Sequence, residues 1–295
     1  MILNTNHTMT SLFGKQGMQV VERSAYTVPV KSLHYCSLLK KIFILFIALF
    51  SMQVLPAQTD STFHLYLLFG QSNMAGRGKV TDEFKNQGSA NLLMLDKENH
   101  WVQAKHPLHF DKPAIVGVGP GLSFGLKMAK KNKGQKIGLI PCAVGGTSID
   151  LWKPAAYDSA TKTHPYDDML KRLKEAMRYG DIKGMIWLQG EADSNSEKAK
   201  NYLDKLQELI NKIRMITNNP SLPIVAGELG RYKQQYQHIN NELAKLPGRV
   251  TYTAVASSKG FTDIGDSTHF NSAAADKYGV RFAKKMKRLQ RRLRK

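Results

Sequence analysis

The sequence predicts an α/β fold, in which a parallel sheet is covered by helices on both faces. From Phe63 onward, short apolar runs alternate with amphipathic stretches of helical spacing, and this alternation is typical of right-handed β-α-β crossovers. Several apolar runs also break abruptly into glycine and small polar residues. In such sheets the loops at the carboxyl ends of the strands converge on the ligand site, so these breaks are candidate functional positions.

The N-terminal part of the chain carries a predicted export signal. Lys40–Gln58 has the layout of a secretory signal peptide, with two lysines, an apolar core at about residues 42–52, and a small residue before a polar one. We expect cleavage after Ala57 and export to the periplasm or the medium. An uncleaved N-terminal anchor is the alternative, although the apolar core is short for a membrane span.

The predicted signal divides the 295 residues into a leader over residues 1–57 and a single domain over residues 58–295. The composition, 42% hydrophobic and 22% charged, fits one good-sized globular domain. A long stretch precedes the apolar core, so we expect the true start codon near Val30 or Leu33. One of the two cysteines, Cys36, would leave with the leader, which excludes an internal disulfide in the mature chain.

The basic residues of the chain are concentrated at its C-terminus. The formal net charge is +20, and residues 281–295 hold nine of the 43 lysines and arginines and no acidic residue. A basic closing helix of this kind is a solvated face, or it binds anionic glycans, lipid headgroups or nucleic acid. Without the leader and this helix the domain is only mildly basic, so we expect no nucleic-acid partner.

The individual elements follow from their apolar patterns. Phe63–Gly70 is a run of β-forming residues that is too short for a helix and ends at glycine. In Tyr166–Gly180 and Ser196–Thr217 the apolar residues recur at the spacing of one helix face. The remaining predicted strands lie at Asn91–Asp96, Lys136–Gly146, Ile182–Asp193, Leu222–Gly230 and 249–257, and the remaining predicted helices at Gln234–Lys245 and from Asn271 onward.

Polar residues at the predicted strand ends indicate a hydrolase. A serine hydroxyl becomes a nucleophile when a base accepts its proton, and the base needs an acceptor that holds its tautomer. Asp266 and His269 lie three residues apart in one turn before the last helix and could form this pair. Ser72, at the end of the first strand, would be the nucleophile.

Five motifs carry a resemblance to a known group of enzymes: GQSNMAG, VGPGLSFG, PCAVGGT, WLQGEAD and the DxxH of DSTH. In this order they resemble the SGNH (GDSL-like) hydrolases, and within them the branch of carbohydrate esterase family 6 and the sialate O-acetylesterases. The resemblance spans about Phe63 to Val280. It implies a flavodoxin-like three-layer α/β/α sandwich, no metal, no cofactor, and removal of acetyl groups from sugar hydroxyls.

The resemblance also implies catalytic roles. Ser72 matches the family nucleophile, His269 its base and Asp266 the group that orients the base. Met74 stands where the second glycine of a Gly-x-Ser-x-Gly elbow would be, which argues against an ordinary α/β-hydrolase.

The implied oxyanion hole combines the backbone N–H groups of Ser72 and Gly146 with a side-chain amide. Gly145 replaces Gly146 if the register is shifted by one residue. The sequence has no Gly-x-Asn-Asp block, where most SGNH enzymes have an asparagine donor, so the third donor falls to Gln189. Glu191 and Asp193 are interpreted as structural groups that cap the following helix or brace the loop.

Other residues with possible chemistry have plainer interpretations. Trp101 and Trp152 could stack on sugar rings or pack in the core. Cys142 ends an apolar run and is better interpreted as a packed side chain than as a nucleophile. Four further histidines are too scattered to predict a zinc site: His64, His100, His106 and His109.

The sequence therefore predicts an exported serine esterase that removes O-acetyl groups from carbohydrates, in the manner of an acetylxylan esterase, through an acetyl-enzyme. A sialate O-acetylesterase or a general short-chain esterase is the alternative within the same class. A glycan-binding protein that keeps the fold without turnover is the alternative from another class. The expected partner is an acetylated carbohydrate, with no stable membrane insertion after signal cleavage.

Overall fold

The computed structural model describes residues 60–131 and 134–294. The predicted signal peptide, its cleavage site after Ala57 and the expected start codon lie outside the described residues. Within the described ranges, no helix is both long and apolar enough to span a bilayer.

Seven strands of the described residues form one sheet in the order β3-β2-β4-β1-β5-β6-β7. All neighbouring pairs are parallel except β2 and β3. The predicted α/β class with a parallel sheet is therefore confirmed, with one antiparallel edge. The strands are β1 (Asp60–Gly70), β2 (Leu92–Leu95), β3 (Trp101–Gln103), β4 (Lys136–Pro141), β5 (Gly180–Leu188), β6 (Ile224–Gly227) and β7 (Thr253–Ala256).

Helices cover both faces of this sheet. Residues of β1 alternate between the two faces, with Leu65 and Leu67 in one buried cluster and Tyr66 and Leu68 in the other. Both clusters are closed by helices, which is the predicted three-layer arrangement. The helices are α1 (Ser72–Ala75), α2 (Asp82–Lys85), α3 (Gly121–Lys131), α4 (Pro165–Ala176), α5 (Ser196–Lys200), α6 (Tyr202–Ile216), α7 (Tyr236–Arg249) and α8 (Ser272–Arg292).

Several elements differ from the sequence-based expectation, among them the short helices α1 and α2, which were not predicted. The short edge strand β3 is half-buried to exposed, so no apolar run marks it. The predicted helix at Ser196–Thr217 is interrupted at Asn201, which separates α5 from α6. Helix α3 was not predicted because glycines interrupt its pattern. Those glycines let it lie close to the sheet, since a Cβ on Gly125 would be 2.8 Å from a Leu92 methyl carbon.

Candidate active site

The end of β1 delivers Ser72 to the carboxyl edge of the sheet. Gly70 makes the turn possible: its φ is +131°, and a Cβ there would lie 2.1 Å from the Leu188 carbonyl oxygen on β5. Ser72 then begins the single-turn helix α1, so its backbone N–H has no intrahelical acceptor. The residue is only 6% exposed.

The loop before α8 brings Asp266 and His269 to Ser72. His269 Nε2 lies 3.0 Å from Ser72 Oγ, and His269 Nδ1 lies 2.5 Å from Asp266 Oδ2. The other carboxylate oxygen, Asp266 Oδ1, accepts the backbone N–H groups of Thr268 and His269 at 2.9 and 2.8 Å. The structure thus joins the three residues that the sequence singled out in one hydrogen-bonded chain.

The state of Asp266 fixes the tautomer of His269. Burial raises the pKa of the Asp266 carboxyl, but the hydrogen bonds from His269 and Thr268 outweigh burial and hold that pKa below its usual value. An ionised Asp266 only accepts hydrogen bonds, so His269 Nδ1 carries the proton and donates it. His269 Nε2 is then free to accept the Ser72 hydroxyl proton.

The loop after β4 contains two adjacent glycines, and only one of them has a backbone N–H that is free to bind a ligand. Gly145 donates its N–H to Asp111 Oδ2 at 2.8 Å, so this group is already committed. Gly146 has a φ of +90° and is exposed. Of the two glycines that the sequence left open, only Gly146 has an N–H with no backbone or side-chain acceptor in the described part of the chain.

A buried ion pair beneath this loop was missed by the sequence analysis. Arg77 Nη2 lies 2.8 Å from Asp111 Oδ2, and the two side chains are 5% and 1% exposed. Arg77 Nη1 also donates to the Gly76 carbonyl. The first motif, GQSNMAGRG, contains the arginine, but its partner is 34 residues further along the chain and no local pattern connects them.

The position of Gln189 corrects its predicted oxyanion role. Its side chain is fully buried, and its amide Nε2 donates to Asp193 Oδ2 at 2.6 Å and to the Thr147 carbonyl at 3.0 Å. An amide nitrogen has two N–H groups, so both are occupied by the protein itself. Nε2 also lies 3.3 Å from Gln71 Oε1, and Gln189 therefore ties the loop after β4 to the end of β1.

Glu191 and Asp193 brace loops, as expected, and neither caps α5. Asp193 Oδ2 accepts from Gln189 and from the Ile149 N–H. Glu191 Oε1 accepts from Asn73 Nδ2 at 2.5 Å. The N-cap of α5 is Asn195, whose side chain accepts the Lys198 N–H.

The remaining candidate residues are packing residues. Trp152 is 2% exposed and packs edge-on against Phe69, and Trp101 packs on Phe63, so core packing is the correct interpretation of both. Cys142 is buried, and burial raises the pKa of its thiol to about 11, so it is protonated rather than nucleophilic. No metal-ligand cluster occurs among residues 60–131 and 134–294.

Comparisons with known proteins place this geometry in a family. Residues 62–288 match the profile of the family described as carbohydrate esterase, sialic acid-specific acetylesterase. A probable carbohydrate esterase from Arabidopsis thaliana is 30% identical over 238 residues, which cover 74% of this chain and 88% of the relative.

Solved structures show a similar fold. An X-ray structure of an Arabidopsis thaliana protein is 29% identical with a TM-score of 0.67, covering 76% of this chain and 98% of that chain. NanS has a TM-score of 0.63 at 15% identity, covering 79% of this chain and 99% of its own. XAC1771, a carbohydrate acetylesterase from Xanthomonas citri, has a TM-score of 0.59 at 20% identity, covering 77% of this chain and 56% of its own. The last two likenesses concern the fold alone.

The fold, the family profile and the relatives together define a carboxylic ester hydrolase, which confirms the predicted enzyme class. More specifically, the chain belongs to the carbohydrate esterase, sialic acid-specific acetylesterase family.

Proposed function

We propose that the protein removes O-acetyl groups from carbohydrate hydroxyls, with Ser72 as nucleophile, His269 as general base and Asp266 as the group that orients the base. The observation that carries this proposal is the chain of contacts from Ser72 Oγ to His269 Nε2 at 3.0 Å and from His269 Nδ1 to Asp266 Oδ2 at 2.5 Å. These are the contacts that an activated serine requires.

The proposed acylation transfers the acetyl group to the enzyme. Ser72 Oγ attacks the ester carbonyl carbon as its proton passes to His269 Nε2, and a tetrahedral oxyanion forms. The backbone N–H groups of Ser72 and Gly146 donate to this oxygen. The bond between the carbonyl carbon and the sugar oxygen then breaks, and His269 returns the proton to the leaving sugar hydroxyl.

The proposed deacylation repeats these steps with water. His269 Nε2 takes a proton from water, whose oxygen attacks the acetyl-Ser72 carbonyl. The bond to Ser72 Oγ breaks, the serine recovers the proton from His269, and acetate leaves. Asp266 stays ionised throughout and stabilises the imidazolium that forms in both halves.

The sugar that carries the acetyl group has two candidates. The sequence motifs favour an acetylxylan-esterase-like activity, whereas the family description favours O-acetylated sialic acid. Asp266 is exposed and His269 is half-buried, so the proposed centre is open enough to reach an acetyl group on a larger glycan.

The experiment that tests the proposal measures acetate released from acetylated xylan, acetylated oligosaccharides and O-acetyl sialic acids. Ser72→Ala should abolish release, and the exposed Ser196→Ala on α5 is the matched control that should not. Release from none of the substrates, with no labelling of Ser72 by a fluorophosphonate, would instead favour a glycan-binding protein without turnover.

We also propose that the protein is exported and cleaved after Ala57. The support is the lysine pair and short apolar core of Lys40–Gln58. Intact-mass analysis of protein from a secreting host should give a mature N-terminus at Gln58. A full-length chain in the membrane fraction would favour the uncleaved anchor.

A further inference from the structure

Asn73 follows the proposed nucleophile in the sequence and is hydrogen-bonded to the loop that carries the proposed base. Its side chain is 3% exposed. Its Nδ2 donates to the Thr268 carbonyl at 2.9 Å, and its Oδ1 accepts the Phe270 N–H at 3.0 Å. Thr268 and Phe270 are the two neighbours of His269 in the sequence, so one amide side chain holds the backbone on both sides of this histidine.

Glu191 fixes the orientation of that amide. Glu191 Oε1 accepts a second hydrogen bond from Asn73 Nδ2 at 2.5 Å. An ionised carboxylate and a backbone carbonyl only accept, and a backbone N–H only donates, so these partners permit a single orientation of the Asn73 amide. Glu191 belongs to the turn that follows β5, and it therefore links a third strand end to the contact between Ser72 and His269.

The buried position of the Glu191 carboxyl destabilises the folded state. Its Oε2 atom is buried and has no hydrogen-bond partner among the described residues. Burial raises the pKa of this carboxyl to about 6. A leucine would avoid much of this cost, so a hydrogen-bond acceptor at this position is not explained by stability alone.

We propose that Asn73 and Glu191 are positioning residues that hold the His269 loop against the Ser72 turn and set the distance between His269 Nε2 and Ser72 Oγ. We call this pair the Asn73–Glu191 clamp. The clamp acts on the geometry of proton transfer, and displacements of about 1 Å in such geometry can cost about a hundredfold in rate. The inference rests on the proposed function of Ser72 and His269.

The test replaces each member of the clamp. Asn73→Leu and Glu191→Leu keep approximate size and remove the hydrogen bonds, whereas Glu191→Gln keeps an acceptor for Asn73. The matched control is Asn240→Leu, because Asn240 is also a buried asparagine whose amide bonds to the backbone. Its Oδ1 accepts the Leu229 N–H at 2.8 Å, and its Nδ2 donates to the Leu229 carbonyl at 3.3 Å. Asn240 lies on α7, and the hydrogen bonds of its side chain go to Leu229 and not to Ser72 or His269.

The expected result is a loss of about tenfold to a thousandfold in kcat for 4-nitrophenyl acetate in Asn73→Leu and Glu191→Leu, with KM nearly unchanged. Glu191→Gln should restore most of the activity. Asn240→Leu should lower Tm with kcat per folded molecule unchanged. The ring resonances of His269 at a fixed pH, followed by NMR, should move in Asn73→Leu and not in Asn240→Leu.

Equal kcat in Asn73→Leu and Asn240→Leu at equal folded fraction would overturn the inference, as would unmoved His269 ring resonances in Asn73→Leu. If the wild type shows no hydrolysis that depends on Ser72, the proposed function fails. The clamp is then decided by the His269 ring resonances, whose measurement needs no turnover.

Discussion

At the scale of single residues, backbone groups do much of the positioning. Asp266 accepts two backbone N–H groups as well as the His269 ring, and Asp111 accepts the Gly145 N–H as well as Arg77. Each carboxylate therefore fixes both a side chain and the loop beside it. A functional side chain held in this way loses little entropy when it reacts.

Ser72→Ala and His269→Ala should each reduce ester hydrolysis by several orders of magnitude. Members of a triad act as a unit, so the double variant should be little worse than either single variant. Steady-state kinetics on 4-nitrophenyl acetate measure this. A double variant whose loss equals the product of the two single losses would show that the residues do not share a step.

Gln189→Ala should mainly destabilise the protein. It removes buried hydrogen bonds to Asp193 and Thr147 and leaves the Thr147 carbonyl without a donor, and an unpaired buried group costs about 1–3 kcal/mol. Denaturant unfolding should show the loss, while kcat stays within about tenfold of wild type. The surface variant Gln237→Ala is the control. A stable Gln189→Ala protein with kcat reduced a hundredfold or more would restore the oxyanion role that the sequence predicted.

At the scale of elements, the strand ends were predictable and the contacts between loops were not. Ser72 was found because a buried strand breaks into polar residues, and Asp266 and His269 because they share one turn. Gln189 was placed at the correct strand end, but sequence position does not tell where an amide points. The pair of Arg77 and Asp111 needed the fold, because 34 residues separate them.

The loop after β4 gives a prediction at this scale. A Cβ on Gly145 would lie 2.4 Å from Arg77 Nη2 and 2.8 Å from Asp111 Oδ2, so Gly145→Ala should separate the ion pair and displace Gly146. We expect kcat to fall by about tenfold or more because the proposed oxyanion donor, the Gly146 N–H, moves. Gly248→Ala is the control, since a Cβ there meets nothing within 4 Å. Unchanged kcat in Gly145→Ala would mean that this loop does not set the oxyanion hole.

At the scale of the whole molecule, two buried histidines make stability depend on pH. Burial lowers the pKa of His106 to about 4 and that of His109 to about 3, against 6.5 in the unfolded chain. As pH falls below 6.5, the unfolded state gains protons that the folded state does not bind, so the free energy of unfolding falls. Above that pH the contribution is fully present.

Unfolding experiments at several pH values check this directly. At pH 5 each histidine should lower the free energy of unfolding by about 2 kcal/mol relative to pH 7, since one pKa unit corresponds to about 1.4 kcal/mol. His106→Leu should weaken the dependence at little cost at pH 7, because neither His106 nitrogen has a partner among the described residues. A stability that is flat between pH 7 and 5 would argue against two buried neutral histidines.

The central claim is that an acetyl group passes through Ser72, and rapid acid quench followed by peptide mass mapping tests it most directly. Wild-type protein quenched during turnover of 4-nitrophenyl acetate should carry one acetyl group on the peptide that contains Ser72, and Ser72→Ala should carry none. Acetyl-Ser72 should also decay at a rate no slower than kcat. Turnover with an unmodified Ser72 peptide, or with the acetyl group on another residue, would contradict the account.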